Sequence, residues 1–313
     1  MTFNEDRPSL LTVRFQGDVL IHVGPHKTGT TSIQTFLRQN YEALHKKGVL
    51  YPEGGRRDLF KVNGDLTYFH YPLFKYLIND EIEKANEHIE AIQSEIVTHQ
   101  PRLVVISCEA LSRRRALNGR IYKDLQSIFG QANRKWVAYL RRQDDLLVSL
   151  FTEQLKKGQN AWPKTILDAE APDILDHQAR LERMRDLIGD DALIVRSFER
   201  EKRHLVASFL DILEVEDTND FVHGGKERQS ASARAINFQR YFNALPWGAT
   251  RLRRLSLKLD DALNGMGLAS KSAHSLLSPK DRETLMARYH QSNAAVENEY
   301  FDGESTGLLE KKP

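Results

Sequence analysis

Four short apolar runs, each followed by a stretch of helical periodicity, constrain this chain more than any other feature. Residues 19–23 (VLIHV), 103–107 (LVVIS), 136–140 (WVAYL) and 193–197 (LIVRS) have the length of buried strands. After the first run, Ile33, Phe36, Leu37, Tyr41 and Leu44 fall on one helical face, and Gly48 is a natural stop. Residues 80–100 place Ile82, Ala85, Ile89, Ile92 and Ile96 three and four apart, which predicts an amphipathic helix ended by Pro101. Residues 121–129 read as a helix stopping at Gly130. A helix capped by Asp144 follows Arg141-Arg142, with Leu147, Leu150, Phe151 and Leu155 inward, and further helices are expected over 174–188 and 204–213. Segments 51–71, 112–120 and 162–172 read as irregular. Strands that alternate with helices predict a parallel sheet covered on both faces, a three-layer α/β fold. Past Phe221 the pattern changes: 223–232 (HGGKERQSAS) is a polar linker, then 233–245, 249–263 and 279–300 look helical, the last with Ser278 as cap and Pro279 in its first turn. The expected organisation is therefore a core over 1–222 and a helical C-terminal part over 223–313, packed together as one compact unit.

In open parallel sheets ligands bind at the carboxyl ends of the strands, and Lys27, Glu109 and Arg141 each lie just past such an end. The first is the most informative. Residues 24–31, GPHKTGTT, break the first strand at Gly24-Pro25 and run straight into a helix. First-turn amides have no intrahelical partner and the helix dipole adds about half a positive charge, so this geometry suits an anion. Lys27 adds a whole charge; Thr28, Thr30 and Thr31 add hydroxyls. The nucleotide triphosphate loop reads G-x-x-x-x-G-K-[ST], with the Lys after the second Gly. Here Lys27 precedes Gly29, so ATP or GTP is not the first reading.

The string G-x-x-K-T-G-T-T resembles the 5′-phosphosulfate loop of sulfotransferases that use 3′-phosphoadenosine-5′-phosphosulfate (PAPS), and its continuation T-T-S-I-Q is similar to the bacterial branch of that family. The resemblance implies a P-loop NTPase-like sulfotransferase fold with a helical C-terminal extension, and assigns Gly24, Lys27, Thr28, Gly29, Thr30 and Thr31 to the donor nucleotide. A second stretch, WVAYLRRQDDLLVSLF, resembles the family's strand ending in Arg and its helix with Ser eight residues on, which implies that Arg141 and Ser149 bind the 3′-phosphate; Arg142 replaces Arg141 if the strand register slips by one. Pairing of Arg141 with Asp144 or Asp145 is the plainer alternative. The family also uses a late Arg-Lys-Gly segment on the same phosphate; that string is absent here, and Lys226, Arg228 and Ser230 could serve similarly, with a solvated loop as the plainer alternative. For the base that deprotonates the acceptor, Glu109 comes first, with Glu53 and His70 as alternatives. Their plainer roles are a partner for Arg113 or Arg114 in the case of Glu109, and a partly buried ring between Phe69 and Tyr71 in the case of His70. The implied reaction is in-line sulfuryl transfer to a hydroxyl, with Lys27 neutralising the departing 3′,5′-bisphosphate (PAP) and no metal required.

Composition removes other classes. Forty-five basic against forty-three acidic residues leave a formal charge of +2, too balanced to imply a nucleic-acid partner. Cys108 is the only cysteine, which forbids an intrachain disulfide and fits a reducing compartment. The first fifteen residues lack the apolar core of a signal peptide, and no run approaches the roughly 18–20 apolar residues of a membrane helix. A soluble cytoplasmic enzyme is expected, acting on a hydroxyl of a carbohydrate, glycolipid or small molecule. Arg113, Arg114 and Arg115 could attract an acidic acceptor such as a uronic-acid polysaccharide. Two other classes remain: a P-loop phosphotransferase or NTPase holding magnesium at the end of 103–109 (LVVISCE), and a nucleotide-binding module without catalysis. Neither acceptor identity nor oligomeric state is written in the sequence.

Overall fold

All four apolar runs are strands, and a fifth of two residues joins them. The structure, a computed structural model, describes residues 8–25, 27–57, 69–112, 119–158, 166–169, 172–222, 232–244, 253–268 and 271–310. Through the first half the chain forms β1 (Asp18–Gly24), α1 (Thr30–Gln39), α2 (Tyr41–Lys46), β2 (Val49–Leu50), α3 (Tyr71–Asn79), α4 (Ile82–His99), β3 (Leu103–Ser107), a 3-10 turn (Glu109–Ser112), α5 (Arg120–Ile128) and β4 (Asn133–Leu140). It continues through α6 (Gln143–Lys156), α7 (Pro172–Leu175), α8 (His177–Ile188), β5 (Leu193–Ser197), α9 (Phe198–Glu201) and α10 (Leu205–Ile212). The tail carries α11 (Ala233–Asn243), α12 (Arg253–Gly265), α13 (Pro279–Arg288) and α14 (His290–Tyr300).

The chain divides into two compact units, one of Met1–Leu140 with Arg180–Gly225, the other of Arg141–Ala179 with Lys226–Pro313. The chain passes between them after Leu140, Ala179 and Gly225, so 141–179 groups with the tail. Patterns along the sequence do not reveal this grouping, because it follows from which apolar faces meet.

The first unit holds the sheet, ordered β2-β3-β1-β4-β5 and parallel throughout. β1 is central and faces β3 with His22 beside Ser107. On its other side the ladder with β4 shifts register between His22 and Gly24, where the chain must leave the sheet for the loop. Leu20, Val105, Val137 and Tyr139 on one sheet face pack with Ile33, Phe36 and Leu37 of α1 and Phe209 and Leu210 of α10, all buried. Each such side chain contributes roughly 1.5–3 kcal/mol by leaving water. Trp136 of β4 stacks on Tyr122 of α5, ring centres 4.9 Å apart.

Three single helices expected from periodicity are broken, each where side chains or amides bond elsewhere. The helix after the loop ends at Gln39 because the Asn40 amide bonds the Phe36 and Val222 carbonyls (3.0 and 3.2 Å) and accepts from the Val222 N–H (2.7 Å). The 174–188 helix breaks at Asp176, whose carboxylate caps α8 by accepting from the Ala179 N–H at 3.1 Å. The 279–300 helix breaks at Tyr289, whose amide turns back to Met286 at 3.2 Å. Helix α3 begins at Tyr71, where the sequence reading ended a loop and assigned nothing, with Pro72 in its first turn.

In the second unit, α6 presents Leu146, Leu147, Phe151 and Leu155 to Leu175, Ile236, Leu277 and Leu285. Its first turn is ionic. Asp144, fully buried, takes Arg142 at 3.1 Å and Arg282 at 2.7 Å, and Asp145 takes His274 at 2.8 Å. Burial would raise the Asp144 pKa, but hydrogen bonds from Arg142 and then Arg282 hold it below the usual carboxylate range. The expected Asp144 cap is thus an ion-pair residue inside the helix, which starts one residue earlier at Gln143. Ser278 caps α13 as expected, accepting from the Asp281 N–H at 3.2 Å.

Candidate active site

β1 and β3 are neighbours and parallel, so the residues that follow each of them emerge at the same end of the sheet. From β1 comes the loop. Gly24, Lys27 and Gly29 all have positive φ (86°, 70° and 76°), a tight path that L side chains rarely adopt. At Lys27 this left-handed backbone costs on the order of 1–3 kcal/mol, the kind of strain found at ligand clamps. Gly29 is the N-cap of α1 and its carbonyl receives the N–H groups of Ser32 and Ile33 at 2.9 and 3.3 Å. A Cβ at Gly29 would stand 2.2 Å from Leu205 Cδ2 and 3.1 Å from Phe198 Cε2, so glycine is required twice over.

The three hydroxyls differ. Thr28 is fully buried and donates to the Pro25 carbonyl at 2.7 Å, which closes the loop on itself. Thr30, in the first turn of α1, donates to Glu109 Oε1. Thr31 is exposed. The groups this geometry gathers at the start of α1 are therefore the Thr30 and Thr31 amides and the Lys27 side chain rather than three hydroxyls.

From β3 comes Glu109, the first residue of the 3-10 turn. The Cys108 N–H donates to the His22 carbonyl at 3.0 Å, so the strand pair stays zipped up to the residue before Glu109. A carboxylate and the first turn of the helix that follows the Lys27 loop thus meet through one hydrogen bond, 79 residues apart in sequence.

His70 and Glu53 are placed differently. His70 is fully buried; its N–H donates to the Ser107 carbonyl at 2.9 Å and its Nδ1 accepts from the Ser107 N–H at 3.1 Å. β2 stops at Leu50, opposite Val104, so His70 supplies the edge bonds that a longer strand would have made. Burial, then the Arg56 charge, hold its pKa well below the ordinary histidine value. The Glu53 side chain is 45% exposed and pairs with Arg57 at 3.5 Å, while its N–H and that of Gly54 donate to Glu95 at 2.8 and 2.6 Å. Of the three candidate bases, Glu109 alone has a hydrogen bond to the loop among those of the described residues.

The second unit carries Arg141 and Ser149. Arg141 precedes α6, its side chain half-buried and its carbonyl accepting from His177 Nε2 at 2.7 Å. Ser149 is half-buried on α6. Arg142 is 4% exposed, bonded to Asp144 and to the Glu310 carbonyl. Lys226 and Arg228, like Arg113, Arg114 and Arg115, lie outside the described residues.

Sequence reasoning passed over His22, Ser107 and Gln34. All three are buried polar residues, and Ser107 Oγ lies 2.9 Å from His22 Nδ1 and 3.0 Å from Gln34 Nε2. A signal existed: a His inside an apolar strand run and a Gln beside Ile33 on an inward helical face must find partners or pay desolvation. Burial lowers the His22 pKa to about 4, opposed by the Glu109 carboxylate. Among the described residues no group of three or more metal-ligating side chains occurs, and no helix is long and apolar enough to cross a membrane.

No protein-family model matches the sequence, and no curated protein matches it. Among solved structures, the chain is similar to a sulfotransferase from Alicyclobacillus acidocaldarius, with a TM-score of 0.48 and 13% identity over 90% of this chain and 95% of that one. It is also similar to the sulfotransferase domain from the curacin biosynthetic pathway (TM-score 0.43, 11% identity, 82% and 99% covered). A third is the sulfotransferase domain from the Synechococcus PCC 7002 olefin synthase (TM-score 0.40, 14% identity, 83% and 98% covered).

Proposed function

We propose that this protein is a sulfotransferase that moves the sulfuryl group of PAPS to an acceptor hydroxyl on a carbohydrate or glycolipid. The observation that carries the reading is the Thr30–Glu109 hydrogen bond, which joins an anion-binding helix start to a carboxylate on the adjacent strand end. Phosphoryl chemistry on a triphosphate is the weaker reading, because Lys27 precedes Gly29 and the loop lacks the G-K-[ST] order.

Each residue then has a defined task. The Glu109 carboxylate accepts the proton of the acceptor hydroxyl as that oxygen bonds to sulfur. The bond from sulfur to the bridging 5′-phosphate oxygen breaks, and its electron pair leaves with the bisphosphate. Lys27 and the first-turn amides of α1 stand where that negative charge grows, and donors fixed at such a place contribute about 2.7–4 kcal/mol each. Thr30 orients Glu109. Arg141 and Ser149 are assigned to the 3′-phosphate. A planar guanidinium suits a phosphate dianion bidentately.

The test is calorimetric titration with PAP in EDTA together with labelled transfer from PAPS to a panel of saccharides, glycolipids and small alcohols. Magnesium-independent binding is expected, with transfer reduced about 10²–10³-fold in Lys27→Ala. A wild-type protein indifferent to PAP refutes the reading.

A further inference from the structure

The carboxyl end of β3 is held from both sides by imidazoles. On one edge His70 satisfies both backbone groups of Ser107. On the other, His22 faces Ser107 in the β1 ladder, accepts the Cys108 N–H on its carbonyl and meets Ser107 Oγ through Nδ1 at 2.9 Å.

The Ser107 hydroxyl is shared by two buried side chains. A serine hydroxyl has one proton and two lone pairs. Gln34 Nε2 donates to Ser107 Oγ at 3.0 Å, and His22 Nδ1 lies 2.9 Å away on its other side. Full burial keeps the imidazole neutral. Held between Gln34 and His22, the Ser107 hydroxyl has its rotation about Cα–Cβ fixed, two residues before Glu109.

We propose that His22, acting through Ser107, is a positioning residue that holds the Glu109 carboxylate beside Thr30. It touches neither donor nor acceptor. The chain of contacts is short: His22 fixes the Ser107 side chain and the Cys108 amide, these fix where β3 ends, and the 3-10 turn starting there delivers Glu109 to the first turn of α1. The inference rests on the reading of Glu109 as the base.

Five variants of the full chain test it: His22→Leu, His22→Asn, Ser107→Ala, the double variant His22→Leu with Ser107→Ala, and Glu109→Gln. Asn places its amide oxygen or nitrogen as many bonds from the backbone as His Nδ1, so it keeps a hydrogen-bond partner for Ser107 Oγ. His22→Leu and Ser107→Ala are expected to lower kcat about 10–100-fold, the scale of a misplacement near 1 Å, with PAP affinity and KM for PAPS unchanged within about twofold. The double variant falls no further than the worse single one, and His22→Asn recovers most of the loss. Hydrogen exchange of the peptide over 103–109 speeds up in His22→Leu and Ser107→Ala and is restored in His22→Asn. Should His22→Leu fail to fold, Ser107→Ala, which removes one oxygen, carries the test. Unchanged kcat, a parallel loss of PAP affinity, or unchanged exchange over 103–109 overturns the proposal. The Glu109→Gln arm separates the two layers: full transfer in that variant refutes Glu109 as base and with it the role of His22 in catalysis. An absence of transfer in the wild type refutes the donor reading, and the exchange arm then decides whether His22 holds the strand end.

Discussion

Gly29→Ala is the sharpest probe of the loop. The backbone there has φ of 76°, which costs an L residue roughly 1–2 kcal/mol. The added methyl would also lie 2.2 Å from Leu205 Cδ2, well inside van der Waals contact, and Leu205 is itself 7% exposed within the core between sheet and helices. Overpacking of that kind costs about 1–3 kcal/mol, because a buried side chain has few other rotamers to adopt. Together Gly29→Ala is expected to destabilise the protein by about 2–5 kcal/mol, as the sum of these two penalties. Urea unfolding followed by tryptophan fluorescence reads this as a fall in midpoint at constant slope. Leu205→Ala supplies the control. On its own it costs about 2–5 kcal/mol by leaving a cavity, but in the double variant the overlap at Gly29 is gone. The double variant should therefore be more stable than the sum of the singles by about 1–3 kcal/mol. Additivity within about 0.5 kcal/mol would show that the two residues do not meet, and an unaffected Gly29→Ala would refute the backbone argument as well.

Three further outcomes are expected. Stability should fall as the solution is acidified: His22 titrates near 6.5 when unfolded and at about 4 when buried, so the unfolded chain alone takes up the proton between those values. The loss begins as pH drops below 6.5 and levels off below about 4, reaching about 3 kcal/mol for this residue, with His70 acting in the same direction. Urea midpoints at pH 7, 5.5 and 4.5 measure it, and His22→Asn, which has no titrating group there, should flatten the dependence; an equal slope in that variant sinks the assignment. Arg142→Ala should cost about 3–5 kcal/mol by leaving Asp144 buried with one partner fewer, whereas Arg141→Ala should weaken PAP binding about tenfold or more. The reverse pattern would transfer the phosphate role to Arg142. Ser149→Ala should weaken PAP by about 0.5–1.5 kcal/mol, one neutral hydrogen bond, and calorimetry that finds no change removes Ser149 from the site.

Much of the architecture was legible because it is local. The apolar runs at 103–107 and 193–197 are strands to the residue, and the Ser278 cap stands where the Ser-Pro-Lys-Asp order put it. The loop was legible for the same reason: Gly24, Lys27 and Gly29 are close in sequence, and only a turn of that kind uses them together. The helix break at Asn40 was not, since the bonds responsible reach Val222, 182 residues away, and at Asp176 the local cap on Ala179 is joined by a bond from Ser292, 116 residues away. The role of His70 was not either. Its neighbours Phe69 and Tyr71 suggest a ring among rings, while its actual work is to complete the edge of β3 beside Ser107.

By itself, then, the order of residues determined a parallel α/β sheet, the place of its strands and a cationic turn after the first of them, because periodicity, glycine and capping act over a few residues. Which carboxylate stands beside that turn, and what steadies it, was decided by the tertiary structure alone. Thr30 with Glu109 and His22 with Ser107 are pairs separated by 79 and 85 positions. They meet only because β1 and β3 lie side by side in one register, and a strand's own pattern of apolar residues says that it is buried without saying which strand it is buried against.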